Sequence, residues 1–242
     1  MNSSELIKLL EALKLHIVKS LYQQDMKRTD RHQMSFEELL IYYFSAQLAH
    51  NEKVAFQSAI NRSKIKEITA DISDIHFDAE RYENKEQLQL LTQGNWIELL
   101  QHIILEGATG VGKSWIASAL AILAIKMKKR VLWLRVPELL DTLEIKRSEG
   151  NHLKYRSYLS KIPILVLDDF GLTPLTARAR QDLLEIVEDR SQKGSLIITS
   201  QLPHEKWRDY IGDKTIGDAL VDRIISRAHI VKLSGKSRRT AD

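Results

Sequence analysis

Gly107-Ala108-Thr109-Gly110-Val111-Gly112-Lys113-Ser114 is an unbroken G-x-x-x-x-G-K-S, and its flanks decide the fold. Upstream, His102-Ile103-Ile104-Leu105-Glu106 is a short apolar run of buried-strand type. Downstream, residues 115–127 are rich in alanine, leucine and isoleucine, with no glycine or proline before Pro137. Strand, loop and helix in that order point a helix N-terminus at an anion. Each residue type has its own task. The glycines let consecutive backbone N–H groups converge on phosphate oxygens, Lys113 brings a mobile positive charge for the β- and γ-phosphates, and the Ser114 hydroxyl is placed for Mg²⁺. Residues 107–115, which include Ala108, Thr109, Val111 and Trp115, are therefore the expected nucleotide-binding stretch, with ATP and Mg²⁺ as its ligands.

Beyond the loop, short apolar runs alternate with helix-length segments, at 103–105, 130–136, 162–167, 195–199 and 228–233. Continuous rather than alternating hydrophobicity marks strands covered on both faces. The expected class is α/β, a P-loop three-layer sandwich around a parallel sheet. The first 90 residues are different: they contain no glycine or proline, and Leu6, Leu9, Leu10, Leu13 and Ile17, then Phe36, Leu39, Leu40, Tyr43 and Phe44, recur at helical spacing. Ser35 followed by Glu37 and Glu38 is a helix start. The charged stretch 71–86 reads as surface or linker, and Gly94-Asn95 as punctuation. The expected organisation is a small helical domain over 1–90 and an ATPase domain over 91–242.

Zero cysteines in 242 residues remove disulfides and Cys-based metal sites, and the N-terminus has no apolar leader. No apolar run reaches the roughly 18 residues of a membrane helix; the cytoplasm is the expected compartment. The net charge of +4 is unevenly spread. Residues 1–95 hold 12 Lys/Arg against 14 Asp/Glu, residues 96–242 hold 24 against 18, so a polyanion meets the second segment first. The eight histidines show no ligand spacing, and no transition-metal site is expected.

Four further stretches carry chemistry. Ile164-Leu165-Val166-Leu167-Asp168-Asp169 is an apolar strand ending in acids, 55 residues after Lys113. Asp168 is placed to hold Mg²⁺, and Asp169, alternating to the other side, to orient and deprotonate water. Thr199-Ser200-Gln201 ends the next strand, where Ser200 or Gln201 can bond the γ-phosphate or the water; the same residues before Pro203 also satisfy a turn. Arg223, in Asp222-Arg223-Ile224-Ile225, suits charge stabilisation on a transferring phosphoryl group, and equally a surface ion pair. Lys146, Arg147, Lys154, Arg156 and Lys161, interleaved with His152, Tyr155 and Tyr158, form a basic cluster fit for DNA phosphates or for a solvated helical face.

Taken together, GATGVGKS, ILVLDDFGLTPL, SLIITSQLPHEKW and DKTIGDALVDRII resemble the IstB family, ATP-binding helper proteins of bacterial insertion sequences related to the DnaC helicase loaders. The resemblance spans residues 5–235. It implies an AAA+ ATPase that assembles as a homo-oligomer on double-stranded DNA of any sequence, hydrolyses ATP and presents the target to a partner transposase, with a DnaC-type helicase loader as the alternative. Within it, Lys113 and Ser114 match the Walker A pair, Asp168 and Asp169 the Walker B pair, and Thr199-Ser200-Gln201 the sensor 1 region. Arg223 matches an arginine reaching a neighbouring subunit's γ-phosphate. The basic cluster matches a DNA-facing region. Many AAA+ proteins have Glu where this chain has Asp169, which implies slow hydrolysis, and the sequence after Leu233 is short for a complete helical lid.

Overall fold

The computed structural model describes residues 3–27, 34–77, 81–235 and 237. The chain divides into two compact units, Met1–Ser58 and Ala59–Asp242. In the first, α1 (Ser3–Ala12), α2 (His16–Asp25) and the beginning of α3 (Phe36–Ser63) bury Leu10, Val18 and Tyr43 against Leu15, Leu21, Tyr22 and Leu39. Ser35 starts α3 as its spacing to the acids foretells. The Glu38 N–H donates to Ser35 Oγ at 3.3 Å and the Ser35 N–H to Glu38 Oε2 at 2.7 Å, a reciprocal cap.

In the second unit all five apolar runs are strands: β1 (His102–Gly107), β2 (Val131–Arg135), β3 (Ile164–Phe170), β4 (Ser195–Ser200) and β5 (Ala228–Leu233). They form one parallel sheet in the order β2-β3-β4-β1-β5. The helices are α4 (Lys85–Thr92), α5 (Asn95–Glu98), α6 (Lys113–Lys126), α7 (Val136–Ser148), α8 (His152–Ser160), α9 (Ala177–Arg190), α10 (Trp207–Ile211) and α11 (Lys214–Ile225). One face of the sheet, with Ile104, Leu132, Leu165, Leu167, Leu196 and Ile198, packs on Leu139, Leu143, Leu183, Ile186, Trp207 and Leu220 of α7, α9, α10 and α11. The alternating residues Ile103, Leu105, Val166 and Ile197 are buried as deeply. They face the other way, where α6 lies across β1 to β4 and small residues such as Ala117, Ala121 and Ala124 allow close approach. The fold is the α/β P-loop sandwich expected.

β1 and β4 are neighbours but not consecutive, and the chain leaves their C-terminal ends for helices on opposite faces. A crevice opens where those connections part. It is there that the glycine-rich loop lies.

Of the stretch 71–86, expected as surface or linker, residues 81–83 are tied to the sheet. Tyr82 bridges antiparallel to Leu233, the Glu83 N–H donates to Lys232 O at 3.3 Å, and the Ser234 N–H to Arg81 O at 2.9 Å. The segment shields the open edge of β5. With Leu88 and Leu91 of α4 also buried, residues 59–77 and 81–92 belong to the second unit rather than to a helical domain reaching to 90. Charge composition does not foretell this, because the bonds that hold the segment are between backbones.

Candidate nucleotide site

The loop 107–112 needs glycine for two physical reasons. Gly107 has φ 146° and a Cβ there would lie 2.2 Å from Leu233 O; Gly112 has φ 106° where it caps α6. The loop thus leads into the N-terminus of α6, where helix amides favour an anion, and Val111 within it is buried. Lys113 is 8% exposed, and its Nζ donates to Gly107 O and Ala108 O, each at 2.7 Å. Ser114 Oγ donates to Asp168 Oδ1 at 3.2 Å. A cleft of about 440 Å³ opens above, lined on the loop side by Thr109, Gly110, Gly112, Lys113, Ser114 and Trp115. Lys66 and Glu67 close one flank, and Arg135, Asp169, Leu172 and Gln201 the other.

β3 and β4 are out of step at the two acids. Leu167 pairs with Ile198 and Phe170 with Ser200, so Asp168 and Asp169 together oppose Thr199. Asp169 takes up the extra residue in the left-handed region, φ 60°, a conformation aspartate tolerates better than most residues. The Thr199 hydroxyl joins the pair: it donates to Asp168 Oδ1 and accepts the Asp169 N–H at 3.1 Å. Asp168 is fully buried, and its Oδ2 has no hydrogen-bond partner among the described residues. A buried carboxylate oxygen without a donor, beside a serine hydroxyl at the foot of a phosphate loop, suits a hard oxygen-seeking cation such as Mg²⁺.

Asp169 is not free. Arg135, the last residue of β2, donates from Nε to Asp169 Oδ2 at 3.0 Å and from a terminal nitrogen at 2.9 Å, and also pairs with Glu138. The bond to Asp169 is the main reason the Arg135 guanidinium is pushed above its ordinary range. Arg135 was not singled out by sequence; its signal was a lone cation ending an apolar strand at the sheet edge that carries the loop.

The family described as IstB-like ATP binding protein matches residues 8–242. The chain belongs to that family. An insertion sequence ATP-binding protein of Sinorhizobium fredii is 42% identical over 166 residues, which are 69% of this chain and 68% of that protein. The IS1162 ATP-binding protein of Pseudomonas fluorescens is 36% identical over 172 residues, 71% of this chain and 74% of that one. Among solved structures, DnaI matches with TM-score 0.60 at 19% identity, over 69% of this chain and 92% of its own. The DnaC helicase loader matches with TM-score 0.57 at 20% identity, over 68% and 97%. At such identities the structures speak for the fold, which is of the AAA+ kind.

The remaining expected residues of this IstB-like chain divide. Gln201 lines the cleft and its Oε1 accepts from Thr109 Oγ1 at 2.8 Å. Ser200 is fully buried: its hydroxyl lies 2.8 Å from Phe170 O and 2.7 Å from Leu202 O, and accepts the Leu202 N–H at 3.0 Å. It serves the turn, and the hydroxyl in touch with the acids is that of Thr199. Arg223 lies outside the cleft, half-exposed on the last turn of α11, bonded to Ala219 O at 2.9 Å and paired with Glu188 at 2.8 Å.

The basic cluster is largely neutralised. Arg147 donates to both oxygens of the buried Asp182, at 2.6 and 3.2 Å, with His152 alongside. Arg156 pairs with Glu185 and, at 2.8 Å, with Asp189. Lys146 pairs with Glu149 three residues on. The two arginines fasten α7 and α8 to α9 instead of facing outward. Lys154 and Lys161 are exposed and have no acidic partner among the described residues.

No helix among the described residues is long and apolar enough to cross a membrane.

Proposed function

We propose that the protein is an ATP-hydrolysing switch that assembles on double-stranded DNA of any sequence and there recruits and activates a transposase. One observation carries the catalytic part: Lys113 and Ser114 line the cleft, Ser114 is bonded to the buried Asp168 behind it, and one oxygen of Asp168 has no hydrogen-bond partner among the described residues. Membership of the IstB-like family and the insertion-sequence names of its relatives support the client.

In this reading the loop amides and Lys113 hold the triphosphate, Lys113 exchanging two carbonyl acceptors for phosphate oxygens. Ser114 and Asp168 would hold Mg²⁺, which when bound neutralises phosphate charge. Asp169 takes the proton of the water that attacks the γ-phosphorus as the bridging bond to ADP breaks. Its salt bridge to Arg135 opposes that role, so slow turnover is expected at rest. Arg135 directly precedes α7, so a DNA contact on α7 or α8 has a short route to the catalytic acid. Lys146, Lys154 and Lys161 supply those contacts, with Arg147 and Arg156 as their support. Arg223 acts on the γ-phosphate of a neighbouring copy, leaving Glu188 to do so.

The test is oligomeric state on random-sequence duplex DNA with ATP, ADP or neither, alongside ATP turnover. Cooperative, nucleotide-gated assembly and DNA-stimulated hydrolysis are the expected results; a monomer indifferent to both would sink the reading. Capture of a hexameric helicase rather than a transposase by the assembled protein would favour the helicase-loader alternative.

A further inference from the structure

Glu106 is the last residue of β1 before the phosphate loop, and it is 3% exposed. A carboxylate in that position is costly unless its oxygens are met by donors. Oε1 accepts two hydrogen bonds, from the backbone N–H of His204 at 2.6 Å and from its imidazole Nδ1 at 2.8 Å, while Oε2 has no partner. Among the described residues, every hydrogen bond that holds the buried carboxylate therefore comes from one residue, 98 positions away in the chain. Burial, the larger effect, raises the Glu106 carboxyl, and His204 pulls it back.

His204 begins the short 3-10 helix His204–Lys206 that follows the β4 turn, and that turn carries Gln201 over the loop. Gln201 is itself bonded to Thr109. Two bridges thus tie the phosphate loop to the β4 turn: one exposed, Thr109 to Gln201, and one buried, Glu106 to His204. The surrounding charges belong to Glu205, 3.3 Å from His204 Nδ1, and to Lys232, which lies opposite Glu106 on β5 and pairs with Glu205 at 3.2 Å and Glu83 at 3.8 Å. Glu106, His204 and Glu205 bring three potential metal-ligand atoms together. Lys232 already balances Glu205, however, and both imidazole and amide already serve Glu106. The geometry is that of a clamp.

We infer that Glu106 and His204 are a positioning pair: they fix the β4 turn against the phosphate loop, so that Gln201 is held over the γ-phosphate end of the cleft. The inference rests on the proposed ATP hydrolysis for its kinetic consequence, but not for its structural one. A group held out of place by about 1 Å costs on the order of 100-fold in rate, and an interaction realised only during turnover lowers kcat without weakening binding.

The experiment uses full-length protein and the substitutions Glu106→Ala, Glu106→Gln and His204→Ala. Hydrogen exchange is measured at the His204 amide and across residues 201–206, and ATP affinity is measured separately from kcat. In Glu106→Ala the His204 amide loses its acceptor, so its exchange should quicken by about tenfold or more, since exchange follows local opening. The same variant should lose roughly 10- to 100-fold in kcat, with ATP affinity changed by less than about threefold. Glu106→Gln keeps an acceptor oxygen for both donors and should restore slow exchange and most of kcat. His204→Ala keeps the backbone donor but removes the imidazole; it should lower kcat in the same direction, and serves if Glu106→Ala does not fold. Unchanged exchange at His204 in Glu106→Ala would overturn the inference, as would a Gln variant as impaired as the Ala variant. If the wild type hydrolyses no ATP, the functional reading fails but the clamp is still decided. A non-hydrolysable ATP analogue should then slow exchange over 201–206 in wild type and Glu106→Gln, and equal protection in Glu106→Ala would reject it.

Discussion

The phosphate loop and the α7–α8 segment both carry cations suited to phosphate, and they use their charge in opposite ways. In the loop, Lys113 donates to two backbone carbonyls, and Asp168 keeps one oxygen without a hydrogen-bond partner among the described residues. On α7 and α8, Arg147 grips both oxygens of a carboxylate only 5% exposed, and Arg156 is shared between Glu185 and Asp189. A charged group is available to a ligand only when its partner in the free protein is weaker than the ligand. By that measure Arg147 and Arg156 are not available.

Arg147→Ala breaks the comparison most directly. It leaves Asp182 buried with only His152 beside it, so the expected loss is about 3 kcal/mol of stability, read as a lower midpoint in urea denaturation. The double variant Arg147→Ala with Asp182→Ala should recover part of that loss. If Arg147→Ala is stable and instead weakens DNA binding, the arginine belongs to the DNA surface after all. Lys113→Ala should do the reverse: a fall of on the order of 100-fold or more in ATP turnover, with thermal stability within a few degrees of wild type. An active Lys113→Ala would place the phosphate site elsewhere.

Both measurements share a sheet whose stability depends on pH, through His102. Burial is the first cause that depresses its imidazole to about 4 from an ordinary 6.5, with Arg190 and Arg227 adding repulsion. Its Nδ1 lies 3.2 Å from the Leu196 N–H, a contact that the neutral ring accepts. Because the folded-state value is depressed, its contribution is fully present above about pH 6.5 and is lost as pH falls through about 4. At about 1.4 kcal/mol per unit the change is on the order of 3 to 4 kcal/mol. His102→Asn should flatten the slope of unfolding free energy between those limits; an unchanged slope would assign it to other groups. The comparison of loop with α7–α8 is therefore best drawn at pH 7 or above.

What sequence made legible was local. The loop, the strand ahead of it, the acidic strand end and the capped start of α3 each depend on residues within a few positions of one another, and the structure has them where the pattern puts them. What was hidden depends on pairs far apart. Arg135 meets Asp169 across 34 residues, Arg147 meets Asp182 across 35, and Glu106 meets His204 across 98. The residues involved look like any charged residues until the fold is assembled. Ser200 shows a subtler limit. Strand alternation governs which side chain turns inward, but the irregular pairing at Asp168 and Asp169 places Thr199 against the acids and leaves Ser200 to the turn.

The smallest expected effect sharpens the comparison most, because it concerns the charges on α8 and its end that are not consumed. Lys154 and Lys161 are exposed, so replacing either with Ala should shift stability by no more than about 0.5 kcal/mol. If each touches a DNA phosphate, each substitution should reduce the slope of log affinity against log salt by about one unit, on all sequences alike. Arg156→Ala supplies the contrast within the same helix, for its stability should fall and its salt slope should change less than that of Lys154→Ala. Equal slopes for wild type and both lysine variants would show that DNA meets a different face. Charge on α8 would then serve the fold alone, and the path from DNA to Asp169 through Arg135 would have no starting point on this surface.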